Sequence, residues 1–208
     1  MKPLYRPLVL IHGLWNGPKV FNKLLKRINR FIDDTDDIYL PELPHYQGRV
    51  SLFDLAEYLD QKITNKFGPE RNIDLIGFSM GGLISRIWLQ EMGGLGRTKN
   101  LITIGTPHHG TLMAQVIPQI PFKGISQMKI NSNLINCLNS KLMLLESINC
   151  ISLFTYWDLM VFPFYHAILP IGKYYPLPAL THQQLLSNPK TIELLCEHIF
   201  TCSRDLHA

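Results

Sequence analysis

A serine flanked by small residues, Gly77-Phe78-Ser79-Met80-Gly81-Gly82, stands between the apolar run Ile73 to Ile76 and a segment of helical spacing. A G-x-S-x-G at a strand-to-helix junction is the pattern of a nucleophile elbow, in which a sharp turn presents the serine oxygen at the end of a sheet. A loop serine could match the same five residues. The strand before, the helix after and the additional Gly82 favour the elbow. A serine hydroxyl is a poor nucleophile at neutral pH, so it needs a base and a carboxylate to orient that base, following in the order Ser, Asp or Glu, His.

The chain offers few acids for that role after Ser79: Glu91, Glu146, Asp158, Glu193, Glu197 and Asp205. Glu91, Glu193 and Glu197 fall on helical patterns, Asp205 is in the tail and Glu146 is inside an irregular region. Asp158 alone follows a β-type run, Cys150 to Tyr156, which makes it the expected carboxylate. Of the six later histidines, His108, His109, His166, His182, His198 and His207, His182 stands in the loop between the last strand pattern and the closing helix, where the base is expected. His166 is its main rival. An oxyanion hole needs two backbone N–H groups aimed at the developing charge. Met80, directly after the serine, supplies one, and the loop His12-Gly13-Leu14 supplies the other through Leu14. Trp15 and His12 are expected beside the substrate, with His12 fixing its loop rather than acting as a base because it precedes the serine.

These residues must be held by alternating strands and helices. Pro7 to Ile11, Asp37 to Leu40, Ile73 to Ile76, Leu101 to Ile104, Cys150 to Tyr156 and Lys173 to Tyr175 read as strands. Helical spacing covers Pro18 to Phe31, a segment opened by Ser51 with Asp54 three residues on, and Gly82 to Met92. Strand-helix alternation implies a parallel sheet with crossover helices, an α/β fold. From Thr111 to Asn149 the rhythm breaks, with short helices expected at Leu112 to Ile117 and Leu134 to Leu145, and the region reads as an insertion over one end of the sheet. Gln183 to Phe200 is a closing helix, broken at Ser187-Asn188-Pro189.

The 208 residues, 46% apolar and 17% charged, suit one compact domain over residues 1–208. Cys137, Cys150, Cys196 and Cys202 lack metal-site spacing and read as free thiols of a reducing compartment. The net charge is +4, and between Thr98 and Ile192 there are six lysines, no arginine and two acids. Scattered lysines without a recognition motif disfavour nucleic-acid binding. The clustering of surplus charge in the half that carries Asp158 and His182 leads to the expectation of a cationic site mouth that attracts anionic lipid headgroups. No targeting or membrane-spanning pattern is read, so the expected location is cytoplasmic, with peripheral membrane contact left open.

Five blocks, I-H-G-L-W at Ile11 to Trp15, I-G-F-S-M-G-G-L-I-S-R at Ile76 to Arg86, I-G-T-P-H-H-G-T at Ile104 to Thr111, W-D-L-M-V-F-P at Trp157 to Pro163 and L-T-H-Q-Q-L-L at Leu180 to Leu186, run in one order along nearly the whole chain. Together they resemble the α/β-hydrolase lipases, in particular the small bacterial triacylglycerol lipase and lipase-like group and the GPI inositol-deacylases. Two positions depart from that pattern: Phe78 stands where His is usual, and Thr181 where Gly commonly precedes the catalytic His. The resemblance implies a reduced α/β-hydrolase fold of about six mostly parallel strands, with residues 111–149 as cap or lid. It implies a lipase or esterase working through Ser79, Asp158 and His182 with no metal or organic cofactor, on a small ester or lipid substrate. A thioesterase or amidase on the same triad, and a non-catalytic lipid-binding or interaction protein of the same fold, are the alternatives.

Overall fold

The computed structural model describes residues 4–31 and 36–201. Cys202, Asp205 and His207 lie outside them. Six strands, β1 (Leu8–Ile11), β2 (Ile38–Tyr39), β3 (Ile73–Phe78), β4 (Thr98–Ile104), β5 (Asn149–Phe154) and β6 (Lys173–Pro176), form one sheet in the order β2-β1-β3-β4-β5-β6. Every neighbouring pair is parallel. The reduced, six-stranded parallel sheet implied by the resemblance is the one observed.

Parallel strands need crossovers, and these cover both faces. α1 (Asn22–Ile28), which continues a 3₁₀ turn at Pro18–Phe21, lies on one face. There Leu24 and Ile28 pack with Leu8, Leu10, Ile76, Ile102 and Leu153. α2 (Leu52–Phe67) and α3 (Met80–Glu91) cover the other, where Leu59, Ile63, Leu83 and Ile87 pack with Val9, Ile11, Leu75 and Leu101. The alternation of neighbours such as Leu8 and Val9 between two cores is the period-two consequence of a strand buried on both sides. Ser51 caps α2 as its spacing predicts, its Oγ accepting from the Asp54 N–H at 3.2 Å.

The region 111–149 divides into two parts. α4 (Leu112–Gln115) and α5 (Lys123–Ser126), the second not expected from the sequence, form a roof past the end of β4. α6 (Asn133–Ser140) instead buries Leu134, Ile135 and Leu138 against the α3 face of the sheet, and so serves as the β4-to-β5 crossover helix. The expected helix Leu134 to Leu145 breaks at Lys141, beyond which Leu142–Ser147 continues as 3₁₀ turns. The last segment breaks at the expected place, with a 3₁₀ turn at Gln183–Leu186 and then α7 (Pro189–Thr201) beside α1 on the other face.

Strand β3 extends to Phe78 and α3 already begins at Met80, so the junction between them is the single residue Ser79. So short a turn drives α3 hard against β1: a Cβ on Gly81 would lie 2.1 Å from the Ile11 carbonyl oxygen. Backbone cannot yield there as a flexible side chain would. Gly81→Ala is therefore expected to lower the unfolding free energy by about 1–3 kcal/mol, measured by urea denaturation, while Gly96→Ala, with nothing within 4 Å of the added atom, changes it little.

Candidate active site

In a parallel sheet the loops after the strands gather at one end, and four of them meet here. Ser79 follows β3 with φ 54° and ψ −125°, a left-handed conformation that a residue with a Cβ holds only under constraint from its surroundings. The loop after β1 runs directly over it, so closely that a Cβ on Gly13 would come within 3.3 Å of the Ser79 Oγ. Asp158 lies past β5 and His182 past β6, and the His182 Nδ1 is 2.7 Å from the Asp158 Oδ2. The other carboxylate oxygen, Oδ1, accepts from the N–H groups of Met160 at 2.9 Å and Val161 at 3.1 Å. Asp158 is thus buried and held by donors on both oxygens. A carboxylate only accepts, so the Nδ1 of His182 carries a hydrogen, and in the neutral imidazole Nε2 then has the lone pair. That Nε2 is buried and without a hydrogen-bond partner, on the wall of the same cavity that Ser79 lines.

Two further contacts hold the imidazole. Its ring packs on Phe78 at 4.8 Å between centroids, so the residue that departs from the usual His supplies an apolar face to the base. On another side a Cβ at Gly105 would fall 2.8 Å from the His182 Cε1, and Gly105 also has φ 57°. The I-G-T-P-H-H-G-T block therefore includes a glycine that lets the imidazole approach the end of β4. Sequence reasoning did not single out Gly105 or Gly13; the blocks containing them were visible, but their distances to His182 and Ser79 arise only on folding.

The rival histidine is engaged elsewhere: His166 Nδ1 is 2.8 Å from the Gly110 carbonyl, and its ring faces His109. Glu146 is exposed on the 3₁₀ turns that follow α6. His12 requires a correction, because it is buried and does not line the cavity as a substrate contact would. Its Nε2 accepts from the Leu43 N–H at 3.0 Å, which makes Nδ1 the donor to the Gly13 carbonyl, also at 3.0 Å. Burial lowers the pKa of His12 and favours this neutral form. Since C=O and N–H of a trans peptide point in opposite directions, anchoring the Gly13 carbonyl turns the Leu14 N–H the other way. Met80 is the first residue of α3, where an N–H has no carbonyl within the helix to meet. Trp15, at φ 58° and 59% exposed, lines the cavity.

The cavity has a volume of about 640 Å³. The roof contributes Met113, Val116, Ile117, Ile125 and Met128, and the loop after β5 contributes Trp157, Leu159 and Met160. His182 is the sole titratable side chain among these walls. No lysine lines the cavity, and the expected cationic mouth is present only in part, through Lys123 on α5 of the roof and Lys129 just after it. Lys99 and Lys173 stand at the starts of β4 and β6, the end of the sheet opposite the site, Lys141 pairs with Glu91 at 2.7 Å and Lys190 with Glu193 at 2.8 Å. A surplus counted along the chain need not gather on one surface, and here parallel strands send their first and last residues to opposite ends. Among the described residues no group of His, Cys, Asp and Glu could hold a metal ion.

Behind the site lies a buried polar cluster. Arg86 of α3 is fully buried and donates from Nε to the Gln90 Oε1 at 3.1 Å and from Nη2 to the Asn139 Oδ1 on α6 at 3.0 Å. Burial lowers its pKa to about 10, so it stays charged at neutral pH. His108 Nε2 is 3.0 Å from the Thr103 Oγ1, and burial, then Arg86 and His109, push its pKa well below the ordinary imidazole value of 6.5. A histidine kept neutral by folding gives stability that is complete above pH 6.5 and is lost as pH falls toward the folded-state pKa. The unfolding free energy is therefore expected to fall between pH 7 and pH 5, approaching ~1.4 kcal/mol per pH unit for each such histidine. Urea denaturation across that interval should show a smaller loss in His108→Gln than in the parent chain.

Comparison with known proteins agrees with this architecture. The family model described as palmitoyl protein thioesterase matches residues 7–158, which include Ser79 and Asp158 and stop short of His182. The lysosomal thioesterase PPT2-B of Xenopus laevis is 30% identical over 93 residues, 42% of this chain; the match spans 31% of that relative's length. Among solved structures, Aspergillus fumigatus lipase B superposes with a TM-score of 0.78 at 18% identity, covering 93% of this chain and 52% of its own. Bacillus licheniformis lipase BlEst2 in mature form gives 0.70 at 16% identity, covering 95% and 93%. At such identities the structural likeness establishes the α/β-hydrolase fold. The match over well more than half of the chain establishes the family: this protein belongs to the palmitoyl protein thioesterases.

Proposed function

We propose that the protein is a serine hydrolase that releases a long, uncharged acyl group from an ester or thioester. The observation that carries this reading is the 2.7 Å contact between His182 and Asp158, with the unpartnered Nε2 on the wall of an apolar cavity that also contains a strained serine. Family membership favours thioesters among the substrates, and the neutral walls suit an acyl chain. Ser79 Oγ attacks the carbonyl carbon and its proton passes to the His182 Nε2. Asp158 holds the imidazolium that forms. The N–H groups of Leu14 and Met80 receive the oxyanion, each worth about 3 kcal/mol of transition-state stabilisation. The tetrahedral species then collapses, the alcohol or thiol leaves with the proton from Nε2, and water activated by the same nitrogen frees the acid. Residues 111–128 act as the cap that shields the chain, a narrower segment than 111–149.

The mouth of the cavity is rich in exposed apolar side chains. Trp157 and Leu159 are 65% and 74% exposed, and Val116 and Ile120 of the roof are 80% and 85% exposed. A patch of this kind at a lipid-handling site suits contact with a membrane surface through apolar insertion rather than charge. No helix among the described residues is long and apolar enough to cross a membrane.

Two experiments test these statements. A fluorophosphonate probe should label the wild-type chain and not Ser79→Ala, and the wild type alone should release free acid from a palmitoyl ester or thioester, an activity that prior labelling abolishes; absence of labelling in the wild type rejects the hydrolase reading. With zwitterionic vesicles, tryptophan emission should shift to the blue as Trp15 and Trp157 enter the interface, with little dependence on salt. A shift seen only with anionic lipid, and abolished by salt, would return the interaction to surface charge.

A further inference from the structure

Past the end of β6 a second groove, of about 460 Å³, runs between Tyr156 and Trp157 on one side and the segment Pro176 to Leu180 on the other. Trp157 and Leu180 line both this groove and the catalytic cavity, so the two spaces meet across a ridge made by these side chains. Each belongs to a loop of the candidate triad: Trp157 precedes Asp158, and Leu180 lies two residues before His182. The groove therefore opens on the imidazole's side of Ser79, whereas the roof lines the catalytic cavity alone. An imidazole that takes the serine proton returns it to the departing atom, which must then lie on that same side.

What the groove can recognise follows from its backbone. Pro176 and Pro178 have no N–H. The N–H of Leu177 donates to the Phe154 carbonyl at 2.7 Å, that of Ala179 to the Leu177 carbonyl at 2.8 Å and that of Leu180 to the Gln184 Oε1 at 2.9 Å. Acceptors are engaged too, with the Pro178 carbonyl taking the Asn188 Nδ2 at 2.9 Å and the Ala179 carbonyl taking the Thr155 hydroxyl. No charged side chain lines the groove. Among the side chains that line it, the polar atoms are the Tyr156 hydroxyl and the Trp157 indole N–H. A phosphate would lose its hydration there and find no cation in exchange.

We propose that this groove is the leaving-group subsite and that it selects a neutral, apolar alcohol or thiol over a phosphorylated one. The proposal rests on the hydrolase reading above. As the tetrahedral species collapses, the C–O or C–S bond breaks with its electron pair going to the departing atom, which takes the proton from the His182 Nε2 while its apolar body lies between Tyr156 and the Pro176 to Leu180 segment.

Three octanoyl thioesters with one acyl group and different thiols test it: those of 2-phenylethanethiol, N-acetylcysteamine and coenzyme A. The phenylethyl thioester should exceed the small neutral N-acetylcysteamine reference about tenfold in kcat/KM, and the coenzyme A thioester, with its phosphates, should not exceed that reference. Pro178→Glu, at an exposed position of the groove, should reduce the phenylethyl-to-reference ratio about tenfold, and Tyr156→Glu provides the same reading if the first variant fails to fold. Equal kcat/KM for the two neutral thioesters, a preference for coenzyme A, or a ratio untouched by both folded variants overturns the subsite and leaves the hydrolase reading standing. If neither these thioesters nor their palmitoyl counterparts and the matching esters are cleaved, the hydrolase reading falls and takes the subsite with it.

Discussion

Ser79 occupies a left-handed backbone conformation that costs a side-chain-bearing residue about 1–3 kcal/mol, and it forms the whole connection between β3 and α3. Such a conformation persists only where its neighbours over-determine it. Here the determinants lie on both sides of the serine: the paired register of β3 with β1 and β4, and the approach of α3 to the Ile11 carbonyl that Gly81 permits. The same approach brings the loop after β1 over the serine and sets the free N–H of Met80 beside it. Nucleophile and oxyanion donors are therefore consequences of one packing constraint at the centre of the sheet.

The rest of the site is arranged to keep charge few and fixed. Asp158 is held by two backbone N–H groups and by His182, and His12 and His108 are kept neutral by burial. The buried Arg86 has neutral partners in Gln90, Asn139 and the His108 carbonyl, an arrangement that ties α3, the turn after β4 and α6 together without placing another carboxylate near the serine. Burial drives the Cys150 thiol up to about 12, which leaves it protonated and inert behind the sheet. The cavity walls are thus apolar, with one titratable side chain at the point where a proton must move.

Much of this was legible in the chain. The six strands follow from short apolar runs, and Ser79, Asp158 and His182 follow from the elbow pattern, the scarcity of acids after it and the position of one histidine between a strand and a helix. The structure draws these three together, and it separates His166 from them by engaging its Nδ1 with the Gly110 carbonyl. The readings that failed share a cause. Net charge was counted along the chain, whereas Lys99 and Lys173 start their strands at the end away from the site and two other lysines are paired, which leaves Lys123 and Lys129 alone of the six at the roof. The region 111–149 was read as one insertion because the strand-helix rhythm breaks there, yet α6 buries its apolar face on the sheet as an ordinary crossover helix.

Sequence by itself determined the order of the elements and the identity of the reactive groups, because apolar periodicity and residue chemistry are local properties. Only the tertiary structure decided that His12, besides fixing its loop, is kept away from the substrate cavity, that Phe78 and Gly105 flank the imidazole, and that no lysine lines the cavity. Each of those depends on distances between segments far apart in the chain, such as the 3.0 Å from Leu43 to His12, and such distances are set by how strands register and helices pack rather than by any residue's own preference.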